Sequence, residues 1–531
     1  MPPVLRGRLA AGGYVSDSRA TSPNLPPLAR VDLIAAAVLL LAAFAIRGLW
    51  FGDPVADFDD QLYSFIGWRM TQGDWPYVDQ WDRKPFGLFV IFAIAHWIGG
   101  PGPAAYQVLA TLSVFGGALL VYALARLLVD RFAAAVAGVL YMVLVSAYGS
   151  YVGQTETFHT PLMLLMLWLV RDWRREDAAR RALIAMAIGG VALQIKYTVL
   201  PQCLFFGAYA LWGQWRRGMP IPKLALLASA FAALGVLPTA LVGLLYAAIG
   251  QFEPFWYANF VSFFARLPAP LGRIGNVRPA ALLPYAVLLT LGLIAAWRLN
   301  PPRDRGTYLL FVAWLLAAIA SVLFPSTVYL YYYSALAAPV VLVALPLLDG
   351  RRIVGTVAAI MLVAGGLYLL RIPHRLEITK AERRNVARLT QAIRPHVDAT
   401  RECLYVFDGP TVLYRTTGTC VPTRFVYPDH LNNNLETHSL GVDQVAEVRR
   451  ILATRPAVIV TADKFMTPQR PENLAQVHQR VSTAYRPLAT EWLHGRRITA
   501  WLRNDLPGPD ARAASAGGRP PIVDPPAPPQ E

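Results

Sequence analysis

Apolar residues run in long unbroken stretches over the first 370 positions, and polar residues are confined to the segments between them. Such runs fit helices that cross a bilayer, because backbone N–H and C=O groups in hydrocarbon must be bonded within their own segment. Eleven stretches read as spans: Val31–Leu49, Ala104–Ala125, Ala133–Ala147, Phe158–Val170, Ala182–Leu200, Gln202–Trp215, Leu224–Ile249, Ala280–Ala296, Thr307–Phe324, Tyr329–Leu347 and Ile353–Leu370. A twelfth, Phe86–Ile98, holds only about 13 apolar-rich residues, short for a full crossing and compatible with a re-entrant or tilted segment. Past Arg371 the pattern becomes that of a water-facing domain. Helices are predicted over Ile378–Ile393, Val442–Ala453 and Pro471–Val481, and strands over Leu404–Phe407, Ala457–Thr461 and Arg497–Arg503.

These elements predict a polytopic α-helical membrane protein of about 11–12 spans followed by a small α/β domain of about 130 residues. The expected divisions are a tail over 1–30, a membrane domain over 31–371, a soluble domain over 372–505 and a disordered Pro-rich tail over 506–531. Composition agrees: 55% of residues are hydrophobic and only 15% charged, which excludes an ordinary soluble enzyme. The first apolar run lacks a small-residue cleavage site and reads as an anchor, not a signal peptide.

The net charge of +16 comes largely from arginines near helix ends. No basic stripe with interleaved aromatics appears, so the expected partners include membrane lipids and no nucleic acid. Positive residues mark cytoplasmic segments. Arg6, Arg8, Arg19 and Arg30 assign the N-terminus to the cytoplasm. Arg126 with Arg131, Arg171–Arg181, Arg216–Lys223, Arg298–Arg305 and Arg351–Arg352 fall on the same side, provided that Phe86–Ile98 does not cross completely. The opposite, outer side then holds the Asp57–Phe86 loop, the turn with Glu156, the loop Gln251–Pro279, the turn Pro325–Tyr329 and everything after Arg371. The expected location is the plasma (inner) membrane, with the C-terminal domain periplasmic or extracellular.

The Asp57–Phe86 loop, DFDDQLYSFIGWRMTQGDWPYVDQWDRKPF, carries most of the candidate chemistry. If Ala56–Met70 is helical, Phe58, Leu62, Phe65, Ile66 and Met70 form one apolar stripe suited to lying in the membrane interface. Asp60 points away from that stripe and Asp59 flanks it in the first turn, where the helix dipole favours an ionised carboxylate. The plain alternative is helix capping by a solvated acidic loop.

DFDDQLY followed by GDWPYVDQWDRKPFG resembles the first outer loop of the C-type polyprenyl-phosphate-sugar glycosyltransferases. That superfamily includes protein mannosyltransferases and bacterial aminoarabinose and galacturonic acid transferases. The resemblance matches Asp59 and Asp60 to the acidic pair, Tyr63 to the aromatic, Lys84–Pro85 to the Lys-Pro, and Glu156 in YVGQTETFHTP to a second acidic position. It departs at Asp60, where Glu is usual, at Phe86, and at Tyr106–Gln107, where Arg is frequent. The resemblance implies the C-type glycosyltransferase fold and inverting transfer from a polyprenyl-phosphate sugar donor to a lipid, glycan or protein acceptor. It makes lipopolysaccharide or another envelope glycan a natural target.

Such a reaction needs a base on the acceptor hydroxyl and a cation on the leaving phosphate. Asp59 is the expected base, with Asp60 as the fallback and Glu156 as a group that orients the acceptor or tunes Asp59. Arg83, Lys84 and Lys196 are the candidate phosphate grips, although Lys196 is equally suited to snorkelling. Tyr63, Tyr331 and Tyr332 are candidate donor contacts. His159 invites a metal reading with Glu156, but two ligands are too few. No cofactor is certain, and divalent-metal dependence is open. The loop Phe252–Pro268 suits interfacial anchoring or a prenyl groove, and Arg273 and Arg278 are flanking charges or contacts to an anionic acceptor. Cys203 reads as inert packing, while Cys403 and Cys420 are placed to form a disulfide or remain two thiols. A transporter or flippase of lipid-linked sugars is the rival reading, and a non-catalytic scaffold a third.

Overall fold

The computed structural model describes residues 30–269, 279–325, 327–351 and 353–507. The N-terminal tail, Arg273, Arg278 and most of the Pro-rich tail lie outside the described residues. Helices form from every apolar segment. Among the described residues six are long and apolar enough to cross a membrane: Arg30–Trp50, Pro103–Ala125, Ile221–Ala248, Ala280–Leu299, Arg305–Leu323 and the stretch that begins at Ile353. Shorter apolar helices, including Phe86–Gly99 and Arg131–Ala147, pack among them. The chain is a multi-pass membrane protein.

Local chemistry sets the helix ends. Asp130 accepts the N–H of Ala133 at 3.0 Å to start Arg131–Ala147, and Asp304 accepts those of Gly306 and Thr307 to start Arg305–Leu323. The expected span Tyr329–Leu347 is broken into short helical pieces, Leu330–Leu336, Ala337–Val343 and Leu345–Leu348, interrupted around Pro339 and Pro346. Glu156 is not in a turn but in the first turn of the helix Thr155–Val170.

Arg371 adopts a left-handed backbone (φ 46°) between the helices Ile353–Leu369 and Ile372–Ile393, and so bends the chain out of the apolar bundle. The second helix leads into a four-stranded sheet of order β1-β2-β4-β3, with β1 Leu404–Val406, β2 Val458–Ala462, β3 Tyr485–Leu493 and β4 Arg496–Arg503. β1 and β2 are parallel, and the other pairs antiparallel. Sequence pattern missed β3, because Pro487 interrupts it. Proline is tolerated there because β3 is an edge strand, with an irregular register between Pro487 and Ala489. Cys403 and Cys420 are joined as a disulfide, and Cys203 is buried and free.

The interfacial stripe predicted on the helix Phe58–Met70 is corrected. Leu62, Phe65 and Ile66 are buried, and so is Asp60, which the sequence set apart from that stripe. Phe65 meets Tyr414 of the C-terminal domain, and the helix packs against Phe86–Gly99. The Asp57–Phe86 loop and the C-terminal sheet thus share one apolar core that runs from Leu62 and Trp81 to Phe425 and Val460. The apolar stripe buries in protein, not lipid.

Gly67 is where the helices Phe58–Met70 and Phe86–Gly99 touch. A Cβ there would lie 2.6 Å from Phe92 Cβ and 2.8 Å from the Ala93 nitrogen, so any side chain must push backbone apart. Gly67→Ala is therefore expected to destabilise the protein by about 1–3 kcal/mol through overpacking. A thermal unfolding midpoint in detergent equal to that of the wild type would contradict this packing.

Candidate active site

Asp57 builds the start of the helix Phe58–Met70. In extended backbone, it accepts the N–H groups of Asp59 and Asp60 at 2.9 and 3.3 Å, and Gln154 donates to the same carboxylate at 2.6 Å. The cap fixes the first turn, and Tyr63, one turn on from Asp59, places its hydroxyl 3.2 Å from Asp59 Oδ2. Two distant hydroxyls join it. Tyr331 donates to Oδ2 at 2.8 Å and Tyr427, from the C-terminal domain, to Oδ1 at 3.1 Å.

The three acids of DFDD experience different fields. Burial pushes the Asp59 carboxyl up, but the Lys84 ammonium and the three tyrosine hydroxyls hold it below the usual carboxylate range. Burial and the Asp59 charge push Asp57 up to about 7. Asp60 goes well above its ordinary value through burial and the charge of Asp57. One of its oxygens accepts the Gly153 N–H at 2.5 Å, and the other has no hydrogen-bond partner among the described residues. The environment therefore keeps Asp59 ionised and favours protons on its neighbours.

Asp59, Tyr63, Lys84, Lys196, Tyr331 and Tyr332 line one cavity of about 360 Å³, with Arg83 at its wall; Asp60 and Glu156 lie behind the lining. Lys84 has its ammonium 5.2 Å from the Tyr63 ring centre and no carboxylate within ion-pair distance among the described residues. Its backbone carbonyl is held by the Tyr77 hydroxyl at 2.8 Å. Lys196 does not snorkel. It forms a buried ion pair with Glu156, whose second oxygen accepts the Thr155 hydroxyl at 2.9 Å, and its ammonium sits 3.5 Å from the Tyr332 ring centre. Glu156 thus acts on the cavity through Lys196. His159 is buried, and among the described residues no group of three or more His, Cys, Asp or Glu is placed to hold a metal.

Arg83 is not free to grip a phosphate as the sequence indicated. Its guanidinium forms a two-pronged ion pair with Glu436 and reaches the Ser439 hydroxyl at 3.2 Å. Arg266, from the aromatic loop, meets the same carboxylate at 2.7 Å and donates to the Tyr329 hydroxyl at 2.8 Å. Burial pushes Glu436 up, but the two guanidiniums hold it far below its ordinary value. Sequence reading missed Arg266, Tyr427 and Glu436. Arg266 sat in a loop already singled out, but nothing local in the C-terminal domain marked Tyr427 or Glu436.

With this geometry in view, the likeness to known proteins is informative. Residues 83–241 match the family described as dolichyl-phosphate-mannose-protein mannosyltransferase. None of the curated proteins matches the chain. The fold is similar to that of ArnT from Cupriavidus metallidurans, in the apo state (TM-score 0.60) and bound to undecaprenyl phosphate (TM-score 0.57). In both comparisons 17% of residues are identical, over 88% of this chain and 97% of the other. A weaker likeness, with TM-score 0.48 and 12% identity over 81% of this chain and 69% of the other, is to the archaeal oligosaccharyltransferase AglB from Archaeoglobus fulgidus in complex with an inhibitory peptide and a dolichol-phosphate. The fold is thus shared with ArnT, and the family match is confined to residues 83–241.

Two outcomes test this geometry. Lys196→Met leaves Glu156 buried without its cation and is expected to destabilise by about 3–5 kcal/mol, whereas adding Glu156→Gln removes both charges and restores most of the loss. Thermal unfolding of the three proteins distinguishes these; equal stability of Lys196→Met and wild type would refute the pairing. Glu436→Gln leaves Arg83 and Arg266 unbalanced and should speed proteolysis of the C-terminal domain, while unchanged cleavage would count against the clamp.

Proposed function

We propose that the chain is an integral membrane glycosyltransferase that moves a sugar from a polyprenyl-phosphate donor to a hydroxyl of a lipid, glycan or protein, on the periplasmic or outer side of the plasma membrane, with inversion. What carries the reading is the arrangement of an ionised Asp59, held by three tyrosine hydroxyls, in one cavity with the unpaired ammonium of Lys84.

In this scheme the acceptor hydroxyl displaces one of the tyrosine hydroxyls on Asp59. Losing that bond raises the basicity of the carboxylate as it takes the acceptor's proton. The acceptor oxygen bonds to the anomeric carbon opposite the phosphate, and the bond from that carbon to the phosphate oxygen breaks. Negative charge grows on the departing phosphate, where Lys84 offers a fixed positive charge. Lys196, oriented by Glu156, lies in the same cavity as a second cation. Tyr331 and Tyr332 flank the donor, and Asp57 and Asp60 shape the helix start without competing for the proton.

The test compares lipid and glycan masses in membranes that carry wild-type protein, Asp59→Asn or no protein. Asp59→Asn is expected to lower the transferred product by about 100-fold or more with normal protein levels. The proposal fails if both Asp59→Asn and Asp60→Asn keep wild-type product, or if vesicles take up a prenyl-linked sugar and form no transfer product. The tyrosine hydroxyls favour the ionised carboxylate, so Tyr331→Phe and Tyr427→Phe should each raise the Asp59 pKa and move the acid limb of transfer to higher pH. An unmoved limb would mean that another group titrates.

A further inference from the structure

A second cavity, of about 460 Å³, lies at the far end of the helices that reach the Asp59 cavity. The helix Thr155–Val170 starts beside Gln154 in the first cavity and ends at Arg171 in the second. Leu200–Arg216 starts just after Lys196–Thr198 and ends at Arg216, and Arg305–Leu323 runs the other way, from Asp304 to Pro325. At 1.5 Å per residue these helices measure about 24–28 Å, close to the thickness of a hydrocarbon core. The two cavities therefore sit near opposite membrane boundaries.

The lining of the second cavity is cationic and aromatic. Arg171, Arg174 and Arg216 converge on it, and none makes an ion pair among the described residues, whereas their neighbours Arg175 and Arg181 both pair with Asp177. Each guanidinium lies over an indole: Arg171 at 3.4 Å from the Trp168 ring centre, Arg174 at 4.6 Å from Trp173, and Arg216 at 5.7 Å from Trp212. Contact with the indole restrains each guanidinium; Arg171 gives one N–H to the Trp168 carbonyl, and its other N–H groups and those of Arg174 and Arg216 are left for an oxyanion. The two carboxylates in the lining have local donors. Asp304 accepts the N–H groups of Gly306 and Thr307 and the Thr307 hydroxyl, and Asp172 accepts the N–H of Arg174. Beside the cavity the surface is apolar, with Trp212, Trp215 and Leu309 all exposed.

Arginines at a helix end ordinarily mark a membrane side, but that role needs no concave site. We infer that this cavity binds the phosphate headgroup of an anionic membrane lipid, with the three guanidiniums on the phosphate and the acyl chains along the exposed apolar faces. The inference rests on the second cavity alone and is independent of the transfer reaction.

The full chain in nanodiscs of mixed phosphatidylglycerol and phosphatidylcholine, analysed by native mass spectrometry, tests it. Wild type should retain phosphatidylglycerol selectively as lipid is stripped. The variant Arg171→Gln/Arg174→Gln/Arg216→Gln should bind it about fivefold more weakly per charge removed. A control with Arg180→Gln, Lys223→Gln and Arg303→Gln, outside the cavity, should bind as wild type. Should the triple variant fail to fold, Arg216→Gln alone carries the test, with about a fivefold loss. Equal retention by wild type and the cavity variant, or equal loss in the control, overturns the site. Binding of inorganic phosphate without any retained phosphatidylglycerol overturns the lipid and leaves a soluble phosphate as ligand.

Discussion

A carboxylate taken out of water must either receive donors from the protein or take up a proton, and the half of this structure around the first cavity is arranged around that choice at Asp59. Its three hydroxyl donors come from the helix Phe58–Met70, from the segment after Pro325 and from the C-terminal domain. None of the three elements alone gives the group its environment. Two residues away, Asp57 receives two N–H groups and Gln154, and Asp60 receives one N–H, yet both are pushed towards the protonated form. The difference lies in the Lys84 cation beside Asp59 and the like charges that face Asp57 and Asp60, not in residue type.

The same dependence explains why the C-terminal domain is more than an appendage. Trp81 of the Asp57–Phe86 loop packs on Phe425 and His430, and Phe65 on Tyr414, so the apolar core is continuous across the junction. Burial of these rings supplies the holding energy. The Arg83–Glu436–Arg266 cluster adds little net stability, because desolvating three charges offsets their attraction. Its role is register: a carboxylate shared by two fixed guanidiniums admits few arrangements, and the permitted one brings Tyr427 to Asp59.

How much of this was legible in sequence follows from the range of each signal. Long apolar runs gave the helices because lipid imposes the same rule on every residue in a span. DFDDQLY pointed to Asp59 through its helix turn, a local object, and to Tyr63 only through the family resemblance. The same logic failed for the apolar stripe of Phe58–Met70, since periodicity reveals an apolar face without naming what covers it. It also failed for β3, where Pro487 reads as a break unless the strand is known to lie at an edge. Arg83 and Lys84 are neighbours of one charge with opposite fates, paired and unpaired, and a carboxylate 353 residues away decides between them. The disulfide Cys403–Cys420 was open until a fold brought the two together.

Charge on the helix ends offers a last connection between the two cavities. Arginine assigned the segments near 171, 216 and 304 to one side, and the segments near 59, 196 and 325 to the other; the structure gathers each set into its own cavity at opposite ends of common helices. The sorting is physical, because a charged side chain held at mid-bilayer is expensive and so migrates to a boundary. A lipid-linked phosphate is bound by the same rule and resides at the headgroup level. On the proposed reading, Lys84 and the prenyl phosphate meet at one boundary because neither can leave it, and the stacked arginines meet lipid phosphate at the other for the same reason. Any shift of the bundle along the membrane normal would move both cavities at once, so an anionic lipid seated at one end would help set the height of Asp59 at the other.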